Sequence, residues 1–302
     1  MTSRFGYGYS PCMSDERPSR AYVAGVYTKR ILRWQRTSYP YLTIDAFSRL
    51  ADFRLNPVAW RLSERNLVDI KKAQVIFCRG EELENLFQLN SDLSAKVIIC
   101  GNSDFEFHKI PTVIPNSVRA LFLQNSFISD NRTIFTIPIG LENLRWGVNG
   151  HPNLLKRIDR DAVKDEILFG PFGKTHPIRR AVFEEFSHNH GPWEVLPPTR
   201  ISAPEYAHIA LNFRYVAAVR GNGVDTHRLW ESLYRGIYPI VQRDSWSESF
   251  HYLGLPIQEV SMWNSSELLK ASKSLPRNDF DPRRHSALWM PFWEEKIKSF
   301  LD

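Results

Sequence analysis

Several features are scarce or absent in this 302-residue sequence, and each absence excludes a class of protein. The three cysteines, Cys12, Cys78 and Cys100, are odd in number and lack metal-ligand spacing, which favours a reduced, cytoplasmic setting. The sequence contains no uninterrupted run of about 18 apolar residues, the length that a membrane-spanning helix needs. Residues 1–20 lack the apolar core of a signal peptide. We therefore expect a cytoplasmic protein, either soluble or peripheral to a membrane.

The composition is that of a folded protein. Its net charge alone does not identify a binding partner. The hydrophobic fraction of 43% and the charged fraction of 24% are typical of globular domains. The net charge is +6, but basic residues are interleaved with acids along most of the chain. The densest basic cluster, TKRILRWQR at 28–36, fits a solvated helix face, a polyanion contact or a membrane-surface patch. We favour the helix face and expect no nucleic-acid partner, while peripheral membrane association stays open.

Short apolar runs recur along the chain and predict two α/β domains. The first series is AQVIFC (73–78), KVIIC (96–100), VRALFLQ (118–124) and TIFTIPIG (133–140). The second is EILFGPF (166–172), WEVLP (193–197), YVAAVR (215–220) and YPIVQ (238–242). Five of the six connections within these series are 17 to 20 residues long, and crossover connections of such length are typical of parallel sheets. Because parallel strands are buried on both faces, they are apolar throughout instead of alternating.

A polar stretch between the two series sets the predicted domain boundaries. We predict an α/β fold of two Rossmann-like domains that face each other across a cleft. The predicted boundaries are an N-terminal arm and flanking segment at 1–39, a first domain at 40–147, a linker at 148–165, a second domain at 166–285, and a helix at 286–302 that packs between the domains. Open α/β sheets bind ligands beyond the carboxyl ends of their strands, so a ligand is expected in the cleft.

The segment RGNGVDTHRLWESLYRGIYPIV at 220–241 combines a glycine turn with a helix that carries charged side chains. Asp225 or Thr226 could cap this helix, whose free N–H groups and dipole favour a phosphate. Arg228 could bind phosphate oxygens in bidentate fashion, and Glu231 could accept hydrogen bonds from ribose hydroxyls. The alternative is an ordinary strand–turn–helix with a surface Arg–Glu pair. Because capping, basic and acidic residues converge on one helix mouth, we favour a nucleotide site.

The same segment closely resembles the donor-site signature of exostosin-like glycosyltransferases and their bacterial and viral relatives. That signature is G-N-G-x-D-T-H-R-x-W-E-x-L-x-x-G-x-x-P-I-V, and the chain departs from its usual form only in having Val219 where a proline precedes the arginine. Further segments are similar in the same order: ICGNSDFEF (99–107), FTIPIGLENLRW (135–146), FGPFGKTHPIRRAVFEEF (169–186) and LPIQEVSMWN (255–264). The resemblance covers roughly residues 95 to 275.

The resemblance implies a GT-B glycosyltransferase that moves a sugar from a nucleotide-activated donor to a hydroxyl acceptor. The acceptor is expected to be a glycan or glycolipid, and transfer to proceed usually with inversion. No cofactor and no essential metal are expected. Residues 40–147 would then form the acceptor domain and 166–285 the nucleotide-sugar domain. The donor site is predicted from residues of two loops and the helices that follow them: Lys174, Arg179, Arg220, Gly221, Asn222, Gly223, Asp225, Thr226, His227, Arg228 and Glu231.

The acidic residues support the expectation that no metal is required. Metal-dependent transferases hold Mg²⁺ or Mn²⁺ with an Asp-x-Asp pair after a strand. This chain has DRD at 159–161 and DFD at 279–281, and neither pair follows an apolar strand. The helix mouth together with Lys174, Arg179 and Arg228 would neutralise the leaving diphosphate instead.

An inverting transferase also needs a general base for the acceptor hydroxyl. Asp104 is the candidate, because it follows the strand at 96–100 in the acceptor domain. The alternative, that Asp104 caps a turn with Asn102 and Ser103, stays open. The reserve bases are Glu106, Glu142 and Asp130; His227 could also act as a base, but its position in the phosphate-binding turn favours donor contact.

Two other functions fit parts of the sequence. One is a different nucleotide-dependent transferase or an epimerase on the same two-domain frame. The other is a non-enzymatic, basic polyanion-binding protein, whose binding would collapse with salt. A nicotinamide site is disfavoured, because GNGVDT lacks a third glycine and no acid ends a second strand about 20 residues later.

Overall fold

The computed structural model describes residues 38–55, 69–89, 92–144, 151–155, 163–199 and 201–302. Three features of the sequence fall outside the described residues: the basic cluster at 28–36, the acidic pair Asp159 and Asp161, and nearly all of the N-terminal arm.

The first sheet contains five parallel strands that follow one another in chain order. They are β1 (Phe53–Arg54), β2 (Val75–Cys78), β3 (Val97–Cys100), β4 (Ala120–Gln124) and β5 (Ile134–Ile137). Helices α1 (Ile44–Ser48) and α2 (Leu83–Leu89) belong to the same part of the chain. Every residue of β2 to β5 is buried, because parallel strands are covered on both faces.

The second sheet also contains five parallel strands, in the order β10–β9–β8–β6–β7. They are β6 (Lys164–Phe169), β7 (Trp193–Val195), β8 (Phe213–Ala217), β9 (Tyr238–Gln242) and β10 (Gln258–Val260). The helices of this half are α3 (Pro177–His188), α4 (Ala203–Ala210), α5 (His227–Tyr234), α6 (Ser245–Tyr252) and α7 (Ser265–Ser272), and α8 (Met290–Lys298) ends the chain. The predicted α/β fold with two parallel sheets is confirmed.

The strand order of the second sheet identifies where a ligand would bind. Strands added after β6 go first to one side, as β7, and then to the other, as β8, β9 and β10. The loops that follow β6 and β8 therefore diverge and leave a crevice at the carboxyl ends of these two neighbours. The glycine turn at 220–226 follows β8, so the fold brings it to this crevice.

Elements missing from the sequence prediction are short or lack an apolar pattern. Strand β1 has only two residues, and the three residues of β10 include two polar ones. Helix α6 escaped prediction although its start carries a signal, a capping box in which Asp244 and Ser247 bond reciprocally. The box uses serine at its third helical position in place of the usual glutamate or glutamine, which weakens it as a sequence pattern.

A single hydrophobic cluster contains residues from both halves of the described chain. It includes Phe47 and Phe122 beside the first sheet and Trp230 from α5. Trp293 of α8 packs edge-on against Phe47, with ring centroids 5.7 Å apart. Tyr234 of α5 accepts a hydrogen bond from the backbone N–H of Leu42 and donates one to the carbonyl of Leu288. Helix α5, which follows the glycine turn, is therefore anchored in a core that both sheets share.

The helices in the described part of the chain do not fit a membrane span. Among these residues, no helix combines the length needed to cross a bilayer with the necessary apolar character.

Gly140 allows the chain after β5 to approach the segment before α1. Its φ is +66°, and a Cβ at this position would lie 2.2 Å from the carbonyl oxygen of Leu42. The close approach lets the N–H of Leu141 donate to that same oxygen at 2.8 Å. The carbonyl of Gly140 in turn accepts a hydrogen bond from the His227 ring at 2.8 Å. A glycine is required here both for its positive φ and for its lack of a side chain.

We expect Gly140→Ala to lower the free energy of unfolding more than Gly254→Ala. Gly254 has a similar φ of +70°, but a Cβ added there would have nothing within 4 Å, so it serves as the matched control. Left-handed strain alone should cost about 1–2 kcal/mol at Gly254. Gly140→Ala adds a backbone collision to that strain. Urea unfolding of both variants measures the difference, and equal losses would contradict the steric argument.

Candidate active site

The loops after β6 and β8 meet in the crevice of the second sheet. Gly221 lies against two side chains of the other loop and its helix: a Cβ at Gly221 would be 3.1 Å from Arg179 Nη2 and 3.3 Å from Thr175 Oγ1. Any larger residue at this position would displace the guanidinium group. The structure therefore brings Gly221, Arg179 and the 170–176 loop together, as the predicted donor site requires.

Arg179 of α3 holds the backbone of the glycine turn. Its Nε donates to the carbonyl of Arg220 at 2.8 Å, and its Nη2 donates to the carbonyl of Val219 at 3.1 Å. Burial, together with the nearby charge of Arg228, lowers the pKa of Arg179 to about 10. The side chain stays cationic at neutral pH, so it adds positive charge beneath the turn while it positions the turn.

Arg228 lies in the first turn of α5 and is held between aromatic rings. Its guanidinium carbon is 4.8 Å from the ring centroid of Tyr206 and 5.3 Å from that of Phe172. Nη2 donates to the carbonyl of Pro171 at 2.7 Å. These contacts fix the plane of a group that recognises planar or tetrahedral oxyanions through paired N–H groups. Arg228 is therefore a preorganised cation between the two loops.

Lys174 and Glu231 are both predicted to bind the donor, but their surroundings differ. Lys174 is exposed and lines a cavity of about 560 Å³ that Phe172 and Arg179 also line. Glu231 is paired with Arg235, whose Nη1 lies 3.3 Å from Glu231 Oε2 and whose side chain is buried. Sequence reasoning assigned Glu231 to a ribose and did not foresee this ion pair. The carboxylate thus already neutralises a buried arginine.

Asp225 contacts the first half of the chain instead of acting only as a helix cap. Its Oδ2 accepts from the N–H of Ile139 at 2.7 Å, and its Oδ1 accepts from Trp230 Nε1 at 2.8 Å. Its own N–H donates to Asn125 Oδ1 at 3.1 Å. Thr226 occupies the N-cap position of α5, but its hydroxyl makes no capping bond. Of the two predicted capping side chains, Thr226 does not cap and Asp225 joins the glycine turn to the segment after β5.

The rest of the glycine turn lies on the carboxyl ends of the first sheet. Asn222 Nδ2 donates to Asp104 Oδ2 at 3.3 Å, and Arg220 forms an ion pair with Glu106. A Cβ at Gly223 would lie 2.7 Å from the side-chain amide of Asn125, so only glycine fits between the turn and that side chain. Arg220 and Asn222, both predicted to bind the donor, therefore also contact the acidic loop after β3.

His227 also contacts the first half of the chain, and this contact determines its tautomer. Its Nδ1 lies 2.8 Å from the carbonyl oxygen of Gly140. Because a carbonyl only accepts, Nδ1 carries the proton and Nε2 of the neutral ring is left as an acceptor. His227 lines a cavity of about 250 Å³ together with Arg79, Asn102, Ser103, Asp104 and Asn143. His227, which follows the glycine turn, and Asp104 thus face one cavity.

The turn that contains Asp104 is stabilised by its neighbours. The N–H of Phe105 donates to Ser103 Oγ at 3.0 Å. Asn102, with a φ of +55°, accepts a hydrogen bond from Asn143 Nδ2 at 2.9 Å. Asp104 itself is exposed, and its carboxylate accepts the long hydrogen bond from Asn222. The turn-capping role that stayed open for Asp104 is performed by Ser103.

The reserve bases occupy different surroundings. Glu106 is paired with Arg220, and one carboxylate oxygen of Glu142 is buried with no partner among the described residues. Asp130 precedes β5, so it lies at the amino-terminal edge of the sheet, opposite the cavity. Burial would raise the pKa of Asp130, but hydrogen bonds from Ile134, Thr133 and Arg132 outweigh it and lower the pKa to about 2. Asp130 therefore lies away from Asp104 and its cavity, and its carboxylate stabilises a turn.

Both carboxylates of the acidic pair at 279–281 form ion pairs with arginines. Asp279 Oδ1 lies 2.6 Å from Arg214 Nη1, and Asp281 Oδ2 lies 2.8 Å from Arg283 Nη2. The hydrogen bond from Arg283 lowers the pKa of Asp281 to about 2. Both carboxylates are therefore engaged in ion pairs away from the crevice between β6 and β8.

Several site residues were missed by sequence reasoning. Arg79 and Asn143 line the cavity with Asp104, and Tyr206 packs on Arg228. Asn125 contacts the glycine turn and has a φ of +55°. A usable signal existed for Asn125, because an asparagine directly after a predicted strand often adopts the left-handed conformation. The remaining residues come from distant segments, so no local pattern identifies them.

Comparison with known proteins gives little similarity. No protein-family model matches the chain, and no curated protein matches it in sequence. Among solved structures, AviGT4, a glycosyltransferase involved in avilamycin A biosynthesis, shows 13% identity over 74% of this chain and 83% of its own, with a TM-score of 0.37. At this TM-score the likeness carries no argument, and the exostosin-like resemblance stays a prediction.

We expect the stabilising contribution of Asp225 to depend on pH. Burial raises the pKa of Asp225 from 3.8 to about 7. Between these values the folded protein holds a proton that the unfolded chain has lost, so the stability contributed by Asp225 falls as the pH rises through this window. Asp225→Asn removes the titrating group, and the loss of unfolding free energy that it causes should be larger at about pH 5 than at about pH 8.

Asp130→Asn is the matched control in the same urea-unfolding series. The pKa of Asp130 is lowered, so its contribution is fully present above its ordinary pKa and is lost only in stronger acid. Its substitution should therefore cost the same at both pH values. A pH-independent effect of Asp225→Asn would show that the buried carboxyl does not titrate in this range.

Proposed function

We propose that this protein is a metal-independent, inverting glycosyltransferase of the exostosin-like kind. It moves a sugar from a nucleotide-activated donor to a hydroxyl group of a glycan or glycolipid acceptor. The observation that carries the proposal is the position of the glycine turn. This turn lies at the ligand crevice of the second sheet and also contacts the cavity that contains Asp104.

The donor diphosphate is assigned to the start of α5. This helix has eight residues and follows the glycine turn directly, so the free N–H groups of its first turn lie at the end of the helix next to that turn. Arg228 and Lys174 add positive charge, and Arg179 keeps the turn in position. Preorganised cations and a helix dipole stabilise charge that develops on a leaving group without reorganising during the reaction. The nucleoside extends toward Glu231, where its ribose hydroxyls meet a carboxylate.

The transfer step uses the cavity between the two halves of the site. Asp104 accepts the proton of the acceptor hydroxyl while the hydroxyl oxygen forms a bond to the anomeric carbon of the sugar. The bond from that carbon to the diphosphate oxygen breaks with both of its electrons, so the nucleoside diphosphate leaves as an anion. Attack from the face opposite the leaving group inverts the configuration. His227 accepts a hydrogen bond from a donor-sugar hydroxyl through Nε2.

Arg228→Ala is expected to weaken the binding of a nucleoside diphosphate by about 1.5–3 kcal/mol, the range for a hydrogen bond to a charged group. A thermal-shift screen of nucleoside diphosphates first identifies the base, since a ligand that binds the folded state raises its apparent stability. Calorimetry then measures the affinity. The wild-type affinity should be unchanged by excess EDTA, because side chains and the helix neutralise the diphosphate.

Arg283→Ala provides the control for the loss of an arginine. Arg283 lies away from the crevice, and its 81% exposed side chain is paired with Asp281. Its removal should leave nucleotide affinity unchanged. Equal affinities for wild type and Arg228→Ala would refute the donor site, and a loss of binding in EDTA would refute the metal-independent chemistry.

Asp104→Asn is expected to lower kcat by about 10²–10⁴-fold, the usual effect of removing a general base. Donor affinity should barely change, because asparagine keeps an oxygen that can accept the hydrogen bond from Asn222 of the glycine turn. The acidic limb of the pH–rate profile should disappear with the carboxylate. Asp130→Asn makes the same chemical change at the opposite edge of the sheet and should leave kcat intact. A near-normal kcat for Asp104→Asn would transfer the role to Glu106, Glu142 or His227.

A further inference from the structure

A second cavity lies beside the candidate active site and has a different chemical character. Its volume is about 330 Å³, within the range of small-molecule pockets. Apolar side chains from the loops after β2 and β3 form much of its wall: Leu83, Phe105, Phe107, Ile110 and Pro111. We refer to this space as the apolar cavity.

The same two loops line the apolar cavity and the cavity that contains Asp104. In the loop after β2, Arg79 lines the active-site cavity and Gly80 lines the apolar one. In the loop after β3, the corresponding neighbours are Asp104 and Phe105. The two loops touch at this point, since a Cβ at Gly80 would lie 3.0 Å from the Cβ of Phe105. The two cavities are therefore neighbours along the same two loops, on either side of the Arg79–Gly80 and Asp104–Phe105 steps.

The loop that borders the apolar cavity carries an unusual share of exposed apolar surface. Seven large apolar side chains are exposed among the described residues, and three of them are Phe105, Ile110 and Val113. Their exposed fractions are 45%, 54% and 53%. Such a cluster next to a cleft marks a binding surface, whereas single exposed apolar residues need no explanation.

The acidic residues of this wall are already paired, so they do not demand a charged ligand. Glu81 Oε1 lies 2.6 Å from Arg79 Nη2, and Glu84 Oε1 accepts a hydrogen bond from Thr112 Oγ1 at 3.1 Å. Glu106 forms its ion pair with Arg220. Because these carboxylates have partners, burial of an apolar group in the cavity leaves none of them newly unpaired.

We propose that the apolar cavity receives the aglycone of the acceptor, an alkyl chain attached to the sugar whose hydroxyl reaches Asp104. The acceptor is then an amphiphilic glycoside and not a free oligosaccharide. This inference rests on the proposed function, because it needs the acceptor hydroxyl at Asp104. Burial of the chain against Phe105 and Ile110 contributes affinity, and the head group determines which hydroxyl meets the base.

A chain-length series tests the proposal by direct binding. Methyl, butyl and octyl β-glucopyranosides are titrated below their micelle concentrations, so the head group stays constant. Each methylene that enters the apolar cavity can tighten binding by up to about fourfold. Octyl glucoside should bind at least about tenfold tighter than the methyl glucoside, a conservative fraction of that increment. Ile110→Ser and Phe105→Ser should flatten the series, whereas Leu269→Ser, at a 41% exposed position on α7, should leave it unchanged.

The controls separate this inference from the proposed function. Circular dichroism and nucleoside diphosphate affinity are measured on the same samples, and Ile110→Ser, at the more exposed position, is the variant least able to disturb folding. A series without chain-length dependence, or one that neither variant flattens, overturns the inference while nucleotide binding persists. Binding of wild type to phosphatidylcholine vesicles through Phe105 and Ile110, without chain-length dependence for monomers, also overturns it in favour of a lipid surface. Failure of wild type to bind any nucleoside diphosphate overturns the proposed function itself.

Discussion

The arrangement of the site depends on the buried carboxylate of Asp225. Its two oxygens accept hydrogen bonds from the backbone of Ile139, which follows β5, and from the indole of Trp230 in α5. A buried acceptor of this kind is costly to leave unpaired, so its two partners are held at fixed positions. Asp225 itself belongs to the glycine turn, so these bonds hold the end of the turn above the first sheet. Arg220 and Asn222 hold the rest of the turn there through Glu106 and Asp104.

Several arginines of the candidate site make structural contacts and also supply positive charge to the site. Arg179 supports the backbone of the turn, Arg228 bonds the opposite loop, and Arg220 pairs with Glu106. These contacts restrict side chains that would otherwise be flexible, which is what a preorganised anion site requires. The loops after β2 and β3 serve two cavities in a similar way, because successive residues line different cavities. A polar site and an apolar cavity can thus share one short stretch of chain.

The α/β class and the glycine turn could both be predicted from the order of the residues alone. Strands β2 to β9 are recognisable because they are short apolar runs, and that pattern depends only on local composition. The turn at 220–226 is equally local: glycines, a helix start and Arg228 are adjacent in the chain. Asp104 was also identified as a candidate from its position directly after a strand.

Which of these residues meet, and what each one contacts, depends on how the chain folds. The order of the strands places the crevice between β6 and β8. The ion pair of Arg220 with Glu106 links residues that are more than 100 positions apart in the chain. Asp130 illustrates the limit of local patterns, because it bonds the start of β5 and so lies at the amino-terminal edge of the sheet, away from the cavity. Glu231 pairs with Arg235 four residues further along the same helix, and only the tertiary structure shows that this arginine is buried. Burial and long-range contacts determine the role of an ionisable side chain, and neither is encoded in the residues next to it.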